Sequence, residues 1–332
     1  MNCVGVGKIL ETGQWDEVYV PPAPGDSGTA IGAALAACRD ATGTVPGDLV
    51  RSCYLGPAYP DFTPAAEPAP GLTARQVDKP AWFLAEQLAA GKIAGLFQGR
   101  LEAGPRALGN RSILASPLIP DVAGRLNAAV KFREPFRPFA PVILAEHAPT
   151  YFRLGQPSPF MAIAMPATSL AREKVPAIVH ANGTARVQTL ARAENPFLAD
   201  VLDRFTELTG VPVLINTSLN VKGKPISGTP QMAIDIVPEQ GSDAGDQRAG
   251  GVRLAVTGMA EQVPLGAKGP SPCGPRTCMS GSPGLSTSAR RERRCSPTST
   301  TSGASASCAS RCRALPRRST PRSGTRWSAI SP

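Results

Sequence analysis

A break in composition near Val237 limits what this chain can fold into more than any other feature. From Pro238 to Pro332 Ser, Arg, Pro, Gly and Cys dominate, and no period of 3.6 or 2 is sustained. A segment of that kind buries too little apolar surface to offset the entropy of ordering it, so 238–332 is expected to be a disordered tail. Charge divides at the same place. Of 35 Lys+Arg and 25 Asp+Glu, 14 and 5 fall in 238–332, which leaves 21 and 20 in residues 1–237. The tail carries +9 of the formal +10. The nearly neutral body argues against broad binding of a nucleic-acid backbone, which relies on clustered excess cations. Five of the eight cysteines (Cys273, Cys278, Cys295, Cys308, Cys312) also lie in the tail, at spacings that fit no standard zinc pair.

The body reads as alternating strands and helices, an α/β layer architecture. EVYVPP is expected to be a short strand, and PGDSG opens an Ala-rich helix with Asp26 as a capping carboxylate. The Pro-rich stretch 55–78 reads as a connector. AWFLAEQLAAGK has helical spacing and closes on Gly91, and IAGLFQG follows as a buried strand. VAGRLNAAVKF is an amphipathic helix, RPFAPVILAEH a strand and ARVQTL another. NPFLADVLDRFTELTG is a helix capped by Asn195 and closed by Gly210. VPVLINTSL is a β-branched strand ending in a polar cluster, and a last helix begins at GTPQMAID. Trp82, Phe83, Phe97, Phe132, Phe136 and Phe139 are expected in the core or in pocket walls.

The candidate chemistry is concentrated between Gly99 and Pro141. Seven cations (Arg100, Arg106, Arg111, Arg125, Lys131, Arg133, Arg137) face three acids (Glu102, Asp121, Glu134) among Gly and Pro breaks. They do not form the i,i+4 acid–base pattern of a solvated helix face. Two readings stand on composition: unrelated surface cations, or guanidinium forks and an ammonium converging on a polyanionic small ligand.

Four blocks carry a resemblance that favours the second reading. GPRALGNRS with LN-x-x-VK-x-RE-x-FRPFAP, HANGTARVQTL at 180–190, VPVLINTSLNVKGKPISGTP at 211–230 and the opening 1–35 closely resemble the NodU/CmcH family of O-carbamoyltransferases. The resemblance spans roughly Met1 to Asp235. It implies a YrdC-like α/β domain over 79–237, preceded by a remnant (1–54) of an actin-like, Kae1-like ATPase-fold domain and joined to it by 55–78. It also implies ATP and carbamoyl phosphate as co-substrates. In the family it resembles, carbamoyl adenylate forms in the YrdC-like domain and the carbamoyl group passes to an alcohol, which implies a small-molecule acceptor in natural product biosynthesis here. On that reading Arg106, Lys131, Arg137 and Arg186 are the phosphate clamp and should share one pocket. Lys131-x-Arg133 and Ser218-x-Asn220 resemble the KxR and SxN elements of YrdC proteins, so Arg133, Ser218 and Asn220 are taken as binding residues. Asn216 joins them as a polar residue at a strand end. Arg111 is a further candidate, for which pairing with a surface carboxylate is the alternative.

The resemblance makes Asp26 a ligand for a divalent metal, iron or magnesium, while the residues alone make it a plain N-cap. The family's histidine pair has no counterpart in the body, whose two histidines, His147 and His180, stand 33 apart, so the metal is not expected to be held. His180 is read as a hydrogen-bond partner in preference to a base. Because the resemblance stops where composition changes, the tail also reads as an out-of-frame extension, and the chain as a partial, inactive carbamoyltransferase. A non-enzymatic nucleotide- or RNA-binding YrdC-like module is the alternative. No specific nucleic acid, no membrane and a cytoplasmic location are expected, with reduced thiols at Cys3, Cys38 and Cys53. The oligomeric state is not legible.

Overall fold

Strands made of unbroken apolar runs have to be covered on both faces, and this chain arranges its helices to do so. The computed structural model describes residues 2–45, 52–65, 74, 76–132, 134, 137–153, 155–239 and 253–256. These fall within one compact unit, Met1–Gly266. Six strands form a mixed sheet in the order β6-β3-β7-β2-β1-β8. They are β1 (Ala94–Phe97), β2 (Arg111–Ala115), β3 (Ala140–Leu144), β6 (Gln188–Leu190), β7 (Val213–Ser218) and β8 (Arg253–Val256). β3–β7, β7–β2 and β2–β1 pair antiparallel; β3–β6 and β1–β8 pair parallel. β4 (Ala164–Pro166) and β5 (Thr184–Arg186) form a separate antiparallel ribbon.

Period-2 alternation sorts each strand's side chains into two cores. Ala94, Leu96, Leu114, Val142, Leu144, Leu190 and Leu214 pack with helices α3 (Pro80–Ala89) and α7 (Pro196–Thr209). On the other face Phe97, Ile113, Ala115, Ile143, Val213 and Ile215 join Val122, Leu126, Val130, Phe152, Ala233 and Ile236. The last two belong to α8 (Pro230–Glu239). α7 has the ends its sequence predicts. The Asn195 side chain accepts from Leu198 N at 3.0 Å, and Gly210 takes φ 73° at the C-cap.

Several expectations are corrected. EVYVPP is not a strand, because the Gln156 side chain satisfies the Val18 backbone in place of a neighbouring strand: Val18 N donates to Gln156 Oε1 (2.8 Å) and Gln156 Nε2 donates to Val18 O (3.0 Å). α1 (Cys3–Glu11) lies close on β4, where a Cβ on Gly7 would sit 2.1 Å from Ala164 O. α2 (Ser27–Thr42) forms, yet none of its residues is buried, and Asp26 precedes it without any side-chain cap bond. The helix expected over 122–132 splits into α4 (Val122–Leu126) and a π-turn, Asn127–Lys131, which ends at Phe132 with φ 42°. ARVQTL also divides, with β5 and β6 serving different sheets on either side of Val187.

The start of the connector is also part of the body. Gly56 N donates to Leu101 O and Leu101 N to Pro57 O, both at 2.9 Å, and Cys53 packs with Leu108, Ala140, Phe160 and Met161. Among the aromatics, Phe97 and Phe139 are buried, whereas Trp82 is exposed between Lys79 and Arg204, and Phe132 is exposed beyond the π-turn. The expectation of a disordered tail over 238–332 is corrected at its start, because α8 runs to Glu239 and Arg253–Val256 adds β8 to the sheet beside β1. Phe136 and the tail from 257 onward lie outside the described residues. No described helix is long and apolar enough to cross a membrane.

Candidate functional site

The loop between β1 and β2 is built on a buried carboxylate. Glu102 Oε1 accepts the backbone N–H groups of Leu108 (2.7 Å), Asn110 (2.9 Å) and Arg111 (3.2 Å). A Gly- and Pro-broken segment cannot satisfy these amides through a ladder, so a single acid gathers them. Gly104 permits the tight entry: its φ is 123°, and a Cβ there would meet Pro22 O at 2.2 Å. Below the loop, Gln98, Asn110 and Asn195 bond to one another and to the backbone, and the Asn195 amide also donates to the Tyr54 hydroxyl.

Arg111 belongs to this framework. It is fully buried, stacked 3.6 Å over Phe97, and its guanidinium donates to the carbonyls of Gln98, Gly99, Asn110 and Pro57. Burial draws its pKa down to about 10, with Glu102 and Tyr59 opposing the shift, so it remains cationic at neutral pH. Its Nη1 and Nη2 donors are directed at protein carbonyls, and Arg111 does not line the cavity that lies beyond the framework. Burial likewise pushes the Cys53 thiol up, helped by Glu102 and Glu194, and leaves it unreactive.

Beyond the framework lies a cavity of about 100 Å³, lined by Arg106 and Ala107 of the loop, Pro138 to Ala140 leading into β3, Met161, Arg186 at the end of β5, and Asn216 to Ser218 at the end of β7. The loop and the two strand ends thereby bring Arg106 and Arg186 together, 80 positions apart in sequence. Arg106 Nε is buried with no hydrogen-bond partner among the described residues. His180 stands beside Arg186 and bonds Thr184 Oγ1 at 3.1 Å; burial and the Arg186 charge both lower its pKa.

The remaining candidates take different places. Lys131 is buried at the end of the π-turn. Its Nζ donates to Ser218 O (2.5 Å) and Oγ (3.1 Å) and to Asn220 O (3.1 Å) and Oδ1 (2.8 Å). It ties down the end of β7 from beside the cavity, and Ser218 Oγ completes the knot at 2.6 Å from Asn220 Oδ1. Lys131 closes this π-turn with its ammonium at the end of β7. Arg137 does not join the cavity. It is exposed and paired with Glu134 at 2.9 Å. Arg133 lies outside the described residues. No group of three or more His, Cys, Asp or Glu side chains among the described residues could hold a metal. Asp26 is thus not part of such a group among the described residues, and no metal step is assigned to it.

Sequence reasoning missed Glu102 as the organiser of the loop, although it is the only acid between Gly99 and Pro120. It also missed Gln188 of β6, whose side chain bridges Leu108 O of the loop and Asn216 Nδ2 of β7; β3 lies between β6 and β7 in the sheet.

Comparisons with known proteins bear on the same segments. The chain matches the model of the carbamoyltransferase C-terminus over residues 85–245 and that of the carbamoyltransferase N-terminus over residues 1–35. It belongs to the carbamoyltransferase family. Nodulation protein U of Rhizobium tropici is 44% identical over 226 residues, covering 68% of this chain and 37% of the relative. Nodulation protein NolO of Bradyrhizobium diazoefficiens is 39% identical over 232 residues, with coverage of 68% and 42%. An uncharacterized protein of Synechocystis sp. is 37% identical over 262 residues, with coverage of 70% and 43%. The chain thus spans well under half the length of these curated relatives. Among solved structures, full-length HypF in its phosphate- and nucleotide-bound form is similar at a TM-score of 0.34 and 14% identity, covering 51% of this chain and 21% of that one. The cavity, the Glu102 loop and β7 all lie inside the matched carbamoyltransferase C-terminus.

Proposed function

We propose that this carbamoyltransferase chain carries a site where water cleaves carbamoyl phosphate to carbamate and phosphate, and the carbamate then attacks the α-phosphate of ATP, forming carbamoyl adenylate and releasing pyrophosphate. In the whole protein the carbamoyl group then passes to an alcohol of a natural product or sugar, in the cytoplasm. The reading takes 79–237 as a YrdC-like domain and 1–54 as the end of a Kae1-like domain. The observation that carries it is the cavity holding Arg106 and Arg186 inside the stretch that matches the carbamoyltransferase C-terminus.

The chemistry asks little covalent help of the protein. Charge on phosphate oxygens must be bound and held in place, and preoriented guanidiniums do this at low cost in reorganisation. Arg106 and Arg186 are assigned that task. Lys131 holds Ser218 and Asn220 where the β7 end meets the cavity. A space of about 100 Å³ suits the small phosphate co-substrate, while a nucleotide would extend out of it.

The test is equilibrium binding of carbamoyl phosphate to the purified chain, followed by assays of phosphate and pyrophosphate release with both substrates present. Saturable binding, and pyrophosphate release that depends on carbamoyl phosphate, are expected. Failure to bind carbamoyl phosphate would remove the proposal. RNA affinity falling steeply with salt would point to the nucleic-acid module instead.

A further inference from the structure

A chain of amide orientations ends at the cavity. A backbone carbonyl can only accept, so the bond at 2.8 Å between Gln188 Nε2 and Leu108 O fixes which end of the Gln188 amide donates. Its Oε1 is then an acceptor, and Asn216 Nδ2 donates to it at 2.7 Å and to Ala107 O at 3.4 Å. Both donors on Asn216 Nδ2 are spent on the protein. That leaves Oδ1, which accepts and cannot donate. Asn216 is 1% exposed and lines the cavity, and its Oδ1 is buried with no hydrogen-bond partner among the described residues. A buried acceptor without a partner costs free energy that a bound N–H would restore.

Guanidinium groups donate only, so Arg106 and Arg186 select for oxygen acceptors such as phosphate. Beside them stands an acceptor locked in place. Resting on the function proposed above, we infer that Asn216 is the specificity-determining residue for the carbamoyl amide: its Oδ1 accepts an N–H of the carbamoyl –NH₂ while the guanidiniums hold the phosphate. Acetyl phosphate has nearly the same shape and charge but carries a methyl group where the amide nitrogen would be. It would leave Oδ1 buried and unpaired. Sites built to hydrogen-bond a ligand group reject analogues that lack it far more strongly than apolar pockets reject a missing methylene.

Calorimetric titration of the wild-type chain with carbamoyl phosphate, acetyl phosphate and inorganic phosphate tests this without any variant. A preference for carbamoyl over acetyl phosphate of about tenfold or more is expected. Asn216→Leu should bring the two acyl phosphates to within about threefold while still binding inorganic phosphate. Asn216→Asp keeps an acceptor oxygen but adds a negative charge, so both affinities should fall and the preference should survive. This second variant serves if the leucine form fails to fold. Equal binding of the two acyl phosphates by the wild type would overturn the inference and leave the anion site standing. Binding of neither would remove the proposed function and this inference together.

Discussion

Two clusters in one stretch of chain use the same residue types to opposite ends. In the framework around Glu102 and Arg111, every described arginine donor except Nε is aimed at a protein carbonyl, and one carboxylate oxygen collects three amides. In the cavity, Arg106 Nε and Asn216 Oδ1 are buried with no hydrogen-bond partner among the described residues. Burial does not separate the two clusters, since Arg111 is the most buried cation of its stretch. Nor do unsatisfied atoms alone, since Glu102 Oε2 and Arg111 Nε also lack a hydrogen-bond partner among the described residues. What separates the clusters is that Arg106 and Asn216 line the cavity and Glu102 and Arg111 do not. Donors turned inward stabilise a fold, and groups left unsatisfied at a cavity are available to a ligand.

Removing Glu102 is the strongest way to test the framework half. Glu102→Ala leaves three buried amides without an acceptor and should cost about 3 kcal/mol or more in stability. Denaturant unfolding would measure it; a loss under about 1 kcal/mol would mean the loop holds without its carboxylate.

Arg186→Met tests the other half. It should leave the unfolding midpoint close to wild type and lower carbamoyl phosphate affinity about tenfold or more, because it removes a charge-assisted contact from a partly desolvated site. A variant that unfolds while retaining ligand affinity would place Arg186 with the framework.

Arg137 should belong to neither. Its pair with Glu134 is exposed, and Arg137→Ala should change stability by no more than about 0.5 kcal/mol. Its effect on phosphate affinity should be within about twofold. A large drop in titrated affinity would mean that Arg137 reaches the ligand only once it is bound.

The smallest effect concerns pH. His180 has its pKa lowered from 6.5, by burial first and by Arg186 second, so the folded state favours the neutral ring. The unfolded chain then binds more protons in the window just below about pH 6.5, and stability falls as pH drops through it. Melting curves across that window should flatten in His180→Gln, and an unchanged slope would assign the dependence to another group.

Local signals account for much of what could be read without a structure. Pro80, Asn195, Pro196 and Gly210 mark α3 and α7 because caps and breaks act within a few residues. The apolar runs at Ala94–Phe97 and Val213–Ile215 announce buried strands, and four motif blocks show the family. The split of ARVQTL between two sheets was not legible, nor was the π-turn at Lys131, because each depends on what the segment packs against. The EVYVPP segment misled for the same reason: a distant Gln156 satisfies the backbone that a strand would otherwise pair.

The sequence by itself determined the alternation of elements, their caps and the concentration of cations between Gly99 and Pro141. Tertiary structure alone decided that Arg111 serves the fold, that Arg106 meets Arg186, and that Arg137 stays at the surface beside Glu134. Composition specifies which donors and acceptors a chain owns. Their use depends on which carbonyls, amides and strand ends lie within about 3 Å once the chain is packed, and hydrogen bonding is too short-ranged and directional for spacing along the sequence to show it.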